Sequence, residues 1–203
     1  MFKDREDAGR KLAERLLVYR DKKSVVLALP RGGVAVGYEV AKALHAPLDT
    51  IVARKIGAPG NPEYAIGAIA PGGVRIMDDS VWGVESIVSE ELREMERRQR
   101  KYKSGFYVGD LLPDAIIVVD DGVATGKTAC AALASAAAAY PGAIRIFAAP
   151  VAAPDSLEEI KRYADEVVVL EAPPEFMAVG EWYAFFPQLT DEEVIEYLEK
   201  ARR

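Results

Sequence analysis

Five short runs of apolar, largely β-branched residues recur along the chain with little polar alternation: SVVLAL (24 to 29), LDTIVA (48 to 53), AIIVVD (115 to 120), AIRIFAAPV (143 to 151) and EVVVLEA (166 to 172). Such runs predict strands buried on both faces. Helical patterning lies between them, at about 34 to 44, 84 to 104, 127 to 140 and 155 to 164. The repeated β-α-β order predicts an α/β fold, a mainly parallel twisted sheet with helices on both faces. Ligands of such sheets bind beyond the carboxyl ends of the strands.

Three segments carry finer signals. VESIVSEELREMERRQRKY opens acidic and closes basic, and Val84, Val88, Leu92, Met95 and Tyr102 form one stripe, which predicts a solvated amphipathic helix. Eight of the twelve residues from Ala129 to Tyr140 are alanine, as expected of a slim helix lying close against a sheet. Thr190 followed by Glu193 has capping-box spacing and predicts a terminal helix. After LDTIVA, the cations Arg54 and Lys55 precede Gly57, Pro59, Gly60 and Pro62. That density of chain breakers predicts a long irregular loop, with a charged β-hairpin as the alternative.

The 203 residues suffice for a single domain, with a core over about 20–172 and a C-terminal hood and helix over about 173–203. A net charge of −6 argues against a nucleic-acid-binding surface. One cysteine, Cys130, and one histidine, His45, exclude a disulfide framework and are too few for a structural zinc site. Both read as structural residues. The charged N-terminus lacks the apolar run of a signal peptide and no stretch is long enough to span a membrane, so a soluble cytoplasmic protein is expected. The adjacent acids Asp78 and Asp79 read as a turn without a role.

The stretch IIVVDDGVATGKT (116 to 128) ends like the phosphate loop of a nucleotide triphosphatase. That loop requires a glycine five residues before Gly126, where this chain has Asp121. A carboxylate there would face a triphosphate with like charge, which disfavours the reading. If Asp120 and Asp121 instead end a buried strand, the loop from Gly122 to Gly126 turns into the alanine-rich helix. The N–H groups of Thr125, Gly126, Lys127 and Thr128 would then point at one phosphate, with the hydroxyls of Thr125 and Thr128 as added donors. Two adjacent carboxylates suit a vicinal diol. A ribose 5-phosphate carries both features.

VVDDGVATGKT resembles the phosphoribosyl pyrophosphate motif of the type I phosphoribosyltransferases. LALPRGGVAVG (27 to 37) is similar to that family's pyrophosphate loop, and ARKIGAPGNPEYAIGAIAPGG (53 to 73) to its mobile loop. The N-terminal DREDAGRKLAERL and the late PPEFMAVGEWYAFFPQ resemble a subgroup whose acceptor is unassigned. The resemblance implies that Asp120 and Asp121 bind the ribose and that Val123, Ala124, Thr125, Gly126, Lys127 and Thr128 cradle the 5-phosphate. It also implies that Arg31, Gly32, Gly33 and Lys55 bind pyrophosphate, with a cis peptide near Arg31. Asp121, Arg31, Arg54 and Lys55 would carry the catalysis. Lys127 departs from the small residue more common there, and could touch phosphate or point to solvent. The acceptor pocket is expected at Val123, Phe176 and Trp182, for a nucleobase-like acceptor. Magnesium is expected to arrive on the substrate without direct protein ligands, Asp120 or Asp121 touching it through water, and a homodimer is implied. A regulatory protein that keeps the sugar-phosphate site is the alternative to an enzyme.

Overall fold

The computed structural model describes residues 1–78, 82–104 and 111–202. The chain runs α1 (Arg5–Leu16), β1 (Ser24–Ala28), α2 (Gly33–Leu44), β2 (Leu48–Thr50), β3 (Arg54–Ala58), β4 (Asn61–Ala70), β5 (Val74–Met77) and α3 (Glu85–Tyr102). It continues with β6 (Ala115–Val119), α4 (Lys127–Ala139), β7 (Ile144–Val151), α5 (Pro154–Ile160), β8 (Glu166–Glu171) and α6 (Asp191–Ala201).

The apolar runs form one five-stranded parallel sheet in the order β2-β1-β6-β7-β8. Every residue of β1 and β6 is buried, as strands covered on both faces require. Alternate residues serve opposite sides. Val26, Ile117 and Ile146 join the core beneath α1, α2 and α6, whereas Leu27, Val118 and Phe147 pack against α4. The chain leaves β1 toward β2 on one side and β6 toward β7 on the other, so its direction of travel reverses between β1 and β6. A crevice opens at that point, beyond the carboxyl ends of the two strands.

The region expected as an irregular loop is instead a second sheet, antiparallel, in the order β3-β4-β5. Pro59 and Gly60 form the β3–β4 turn, while Gly57 and Pro62 lie within the strands, with register shifts on either side of Gly57; Gly60 at φ 80°, Gly72 at φ 80° and Gly73 at φ 78° have the left-handed backbones that hairpin turns demand. The rest of β4 reads YAIGAIA, small and apolar enough to lie on α4. The alanine helix is therefore slim for two reasons, since it is packed between two sheets. Asp79 lies outside the described residues.

Helix α3 is bound to α6 through Asp191, which accepts hydrogen bonds from Tyr102 Oη (2.5 Å), Lys101 Nζ (3.1 Å) and Arg97 Nη1 and Nη2 (both 3.2 Å). Burial alone would raise the Asp191 pKa, but these donors outweigh it and bring it to about 2. The expected capping box is present, with Thr190 Oγ1 accepting from Glu193 N and Glu193 Oε2 accepting from Thr190 N.

Residues 1–4 lead into α1, to which the sequence pattern assigned no element. Phe2 N donates to Trp182 O (2.7 Å), and Ala184 N and Phe185 N donate back to Phe2 O and Lys3 O (2.8 and 2.9 Å). The amino terminus is thereby zipped to the C-terminal hood. Asp4 caps α1 by accepting from Asp7 N at 2.8 Å. Gly9 then lets α1 lie directly on α2: a Cβ there would stand 2.9 Å from both Glu39 Cβ and Val36 O. Gly9→Ala is expected to cost about 1–3 kcal/mol through overpacking, measured as a lower urea midpoint at unchanged denaturant slope.

Candidate functional site

Two strand-to-helix turns meet at the crevice. The first, after β1, contains the cis peptide bond between Pro30 and Arg31, then Gly32 and Gly33. The second, after β6, contains Asp120, Asp121 and the loop to Gly126. They touch backbone to backbone, for a Cβ on Gly33 would lie 2.8 Å from Val119 O and 3.0 Å from Asp120 Cα. Gly32 is tighter still: its Cβ position is 1.8 Å from Asp121 Oδ2. Only a glycine leaves the Asp121 carboxylate room to lie across this turn.

Asp121 is held there by a residue from the far end of the chain. Arg5 Nε donates to Asp121 Oδ2 at 2.7 Å, and Arg5 Nη1 donates to Pro187 O at 2.7 Å. The Arg5 guanidinium also lies 3.8 Å from the centroid of the Phe186 ring. With only 8% of its surface exposed, Arg5 is a nearly buried cation whose charge is met on all three counts. Tyr183 Oη donates to Asp121 O at 2.5 Å. Burial, and then the negative charge of Asp121, push the Tyr183 hydroxyl pKa upward, which keeps it a donor.

The Asp120 carboxyl is pushed well above the usual carboxylate range, first by withdrawal from water and then by the charge of Asp121. Its Oδ1 accepts from Asp121 N at 2.9 Å. Two adjacent acids in one turn thus differ in electrostatic setting: Asp121 is ion-paired and Asp120 is pressed toward its neutral form.

The second turn ends at Gly126, whose φ of 76° is left-handed, and α4 begins at Lys127. Among the described residues, no acceptor meets the backbone N–H of Ala124, Thr125, Gly126, Lys127 or Thr128. Val123 anchors the loop by a bridge to Ala152 beyond β7. The Lys127 side chain goes neither to the loop nor to solvent, because Asp78 Oδ1 (2.7 Å) and Glu159 Oε1 (3.1 Å) hold its ammonium. It fastens β5 and α5 to the start of α4 and offers the loop only its amide.

A cleft of about 450 Å³ opens over the two turns, lined by four arginines (Arg5, Arg31, Arg54 and Arg98) with Gly32 and Asp121. The hood closes one side with Val179, Phe186, Gln188 and Leu189. Arg54 and Arg98 are steadied by α3, their Nε atoms donating to Glu91 Oε2 and Glu94 Oε1, both at 2.7 Å. Lys55, the next residue along β3, takes the opposite face of the strand and does not line the cleft. Phe176 and Trp182 do not line it either; Trp182 packs beside Phe2 and Tyr183. Val123 is buried and contributes to the core beside α4. Arg5 and Arg98 line the cleft although sequence patterning gave neither a role there. Nothing in spacing connects Arg5 to Asp121, 116 positions away.

His45 ends α2 in a left-handed conformation with its Nε2 2.6 Å from Arg20 Nη2, and the Cys130 thiol is pushed up to about 12, chiefly by burial. Both lie outside the cleft.

The raised Asp120 pKa has a direction in stability. A carboxyl that prefers its proton in the folded state contributes fully below the ordinary carboxylate range, and that contribution is lost as pH rises through the folded value. Asp120→Asn is therefore expected to raise the thermal midpoint at about pH 7–8, by ~2–4 °C for each 1 kcal/mol relieved, with the gain vanishing near pH 4. Calorimetric scans of both proteins across that range measure it.

Comparisons with known proteins give the chain's family and fold. The model of the phosphoribosyl transferase domain matches residues 2–183. Two Mycobacterium tuberculosis proteins, named only provisionally as phosphoribosyl transferases, are 43% identical over 211 residues covering 100% of this chain. The chain spans 47% of their length. Among solved structures, TT1426 from Thermus thermophilus superposes with a TM-score of 0.80 at 38% identity, covering 98% of each chain. AQ2163 from Aquifex aeolicus, at 12% identity and a TM-score of 0.51 over 96% of this chain and 84% of its own, shares the fold. With its parallel sheet, paired turns and acidic strand end, this chain belongs to the phosphoribosyl transferase family.

Proposed function

We propose that the protein transfers the 5-phosphoribosyl group of phosphoribosyl pyrophosphate to a ring nitrogen of a nucleobase-like acceptor. The observation that carries this reading is the pairing of two dissimilar turns at the reversal point of the sheet. One offers a run of backbone N–H groups without acceptors at the start of α4; the other offers Arg31 beside Gly32. A sugar with a phosphate at one end and a pyrophosphate near the other would set its phosphate on the first of these and its pyrophosphate on the second.

In this reading the amides of Ala124 to Thr128 and the hydroxyls of Thr125 and Thr128 hold the 5-phosphate, favoured by the α4 dipole. Asp120 and Asp121 accept from the ribose diol. Arg31 and the Gly32–Gly33 turn take the pyrophosphate, and Arg54, fixed by Glu91, faces the charge that grows on it. The acceptor nitrogen forms the bond to C1 with its lone pair as the C1–O bond breaks. The electron pair leaves on pyrophosphate, and any N–H proton passes to water. The transition state is oxocarbenium-like, so no covalent nucleophile is required. The protein supplies position and charge.

Two adjacent carboxylates beside the pyrophosphate turn fit a magnesium ion, which Asp120 or Asp121 would hold through water. Bound there it would neutralise the leaving group. Among the described residues no helix is long and apolar enough to cross a membrane. A soluble homodimer is part of the proposal.

An acidic acceptor for a sugar hydroxyl contributes about 1.5–3 kcal/mol. Asp120→Ala is accordingly expected to weaken binding of phosphoribosyl pyrophosphate with magnesium by roughly tenfold or more in isothermal titration. Unchanged affinity would remove Asp120 from the ribose site. A pyrophosphate-release screen over nucleobases separates an enzyme from a binding protein.

A further inference from the structure

The start of α4 carries a charge arrangement that the transfer reading leaves unused. The backbone N–H groups from Ala124 to Thr128 meet no acceptor among the described residues, yet two carboxylates stand close behind them. Asp78 follows β5, its N–H donating to Ile66 O at 3.0 Å, and Glu159 belongs to α5. Asp78 Oδ1 (2.7 Å) and Glu159 Oε1 (3.1 Å) both accept from Lys127 Nζ, on a side chain only 18% exposed. Burial alone would lower the Lys127 pKa, but the hydrogen bonds to Asp78 and Glu159 outweigh it and raise it, so the ammonium keeps its charge.

These three charges are near enough to act on whatever the loop holds. The ammonium is tethered to its own amide by one lysine side chain, and each carboxylate lies one hydrogen bond further on. That reach is comparable to the screening length of about 10 Å at 0.1 M salt. Cys130, one turn along α4, registers the two signs separately: after burial, the charge of Glu159 raises its thiol pKa and the charge of Lys127 lowers it. A dianionic phosphate on the amides would meet the same two fields. Two carboxylates without the ammonium would oppose it at a helix start whose dipole favours anions.

Resting on the reading of this loop as the 5-phosphate site, we infer that Lys127 is a positioning residue that acts by charge: its ammonium pins Asp78 and Glu159 and cancels their repulsion of the phosphate without touching it. The same contact lets the sheet that carries Arg54 be fastened to the loop by an acid, with no like charge left facing the ligand. Lys127 makes and breaks no bond in the transfer. Its side chain sets how tightly the sugar phosphate is held, and its amide does the holding.

The test is isothermal titration with two probes, ribose 5-phosphate for the loop and pyrophosphate with magnesium for the Arg31 turn. It compares the unaltered protein with Lys127→Met and with the double variant Asp78→Asn, Glu159→Gln. Lys127→Met is expected to weaken ribose 5-phosphate by about tenfold, and the double variant, which frees the ammonium of its counter-charges, to tighten it by about threefold or more. Both shifts should shrink in about 1 M salt, with pyrophosphate affinity staying within about threefold throughout. Opposite signs separate the two possible roles, because a clamp that merely holds α4 in place weakens binding whichever end is cut. Weakening by both variants, no change in the double variant, or an equal loss of both probes overturns the inference. Should Lys127→Met fail to fold, the sign of the double variant decides alone. Failure of the unaltered protein to bind ribose 5-phosphate removes the loop reading itself, whereas intact binding without the opposed shifts removes only the role of Lys127.

Discussion

A single ion pair, Arg5 to Asp121, fixes the relation between the two ends of the chain and the acidic turn at the sheet's reversal point. The guanidinium is tied to the hood through Pro187 O and the Phe186 ring, and to the turn through Asp121. Removing either partner would leave a largely buried charge, a loss that typically costs about 3–5 kcal/mol in proteins. The backbone zipper from Phe2 and Lys3 to residues 182–185 brings Arg5 to this point, and Gly9 sets α1 close enough on α2 to keep it there. The hood is thereby part of the site's foundation as well as its cover.

The rest of the crevice follows from sheet topology. Because β1 and β6 are neighbours and their helices leave to opposite faces, the two turns diverge above the sheet and leave room between them. Glycines then let backbone approach backbone, at Gly33 against Val119 and at Gly32 beneath Asp121. The second sheet supplies Arg54, and α3 holds Arg54 and Arg98 by glutamates a turn apart. Lys127 ties that same sheet, through Asp78, to the first turn of α4. Arg54 and Arg98 are thus fixed at the cleft by carboxylates that lie outside it, whereas Arg5 is held by Asp121 within it.

The parallel sheet was legible because buried strands write continuous apolar runs, and the acidic turn because Asp-Asp-Gly followed by Thr-Gly is dense in local chemistry. The antiparallel sheet is where an irregular loop is the leading expectation, and the β-hairpin alternative is the one the structure has. Its glycines and prolines look like breakers in a linear reading, yet several stand in hairpin turns, where left-handed backbones are required. Lys55 and Arg54 look equivalent in sequence, but strand alternation sends adjacent side chains to opposite faces. Arg5 was invisible as a site residue because its partner is 116 positions away and its helix carries many similar charges. Of the hood aromatics, Phe186 lines the cleft while Phe176 and Trp182 do not, because Trp182 packs beside Phe2 and Tyr183.

In the proposed function the paired turns recognise a ribose bearing a phosphate and a pyrophosphate, with the Asp121 carboxylate excluding a triphosphate from the second turn. Isothermal titration of the unaltered protein with phosphoribosyl pyrophosphate and magnesium, in parallel with ATP and magnesium, tests it most directly. Saturable binding of the first ligand with no comparable heat from the second is the predicted result. Preference for ATP, or no binding of phosphoribosyl pyrophosphate, would contradict it.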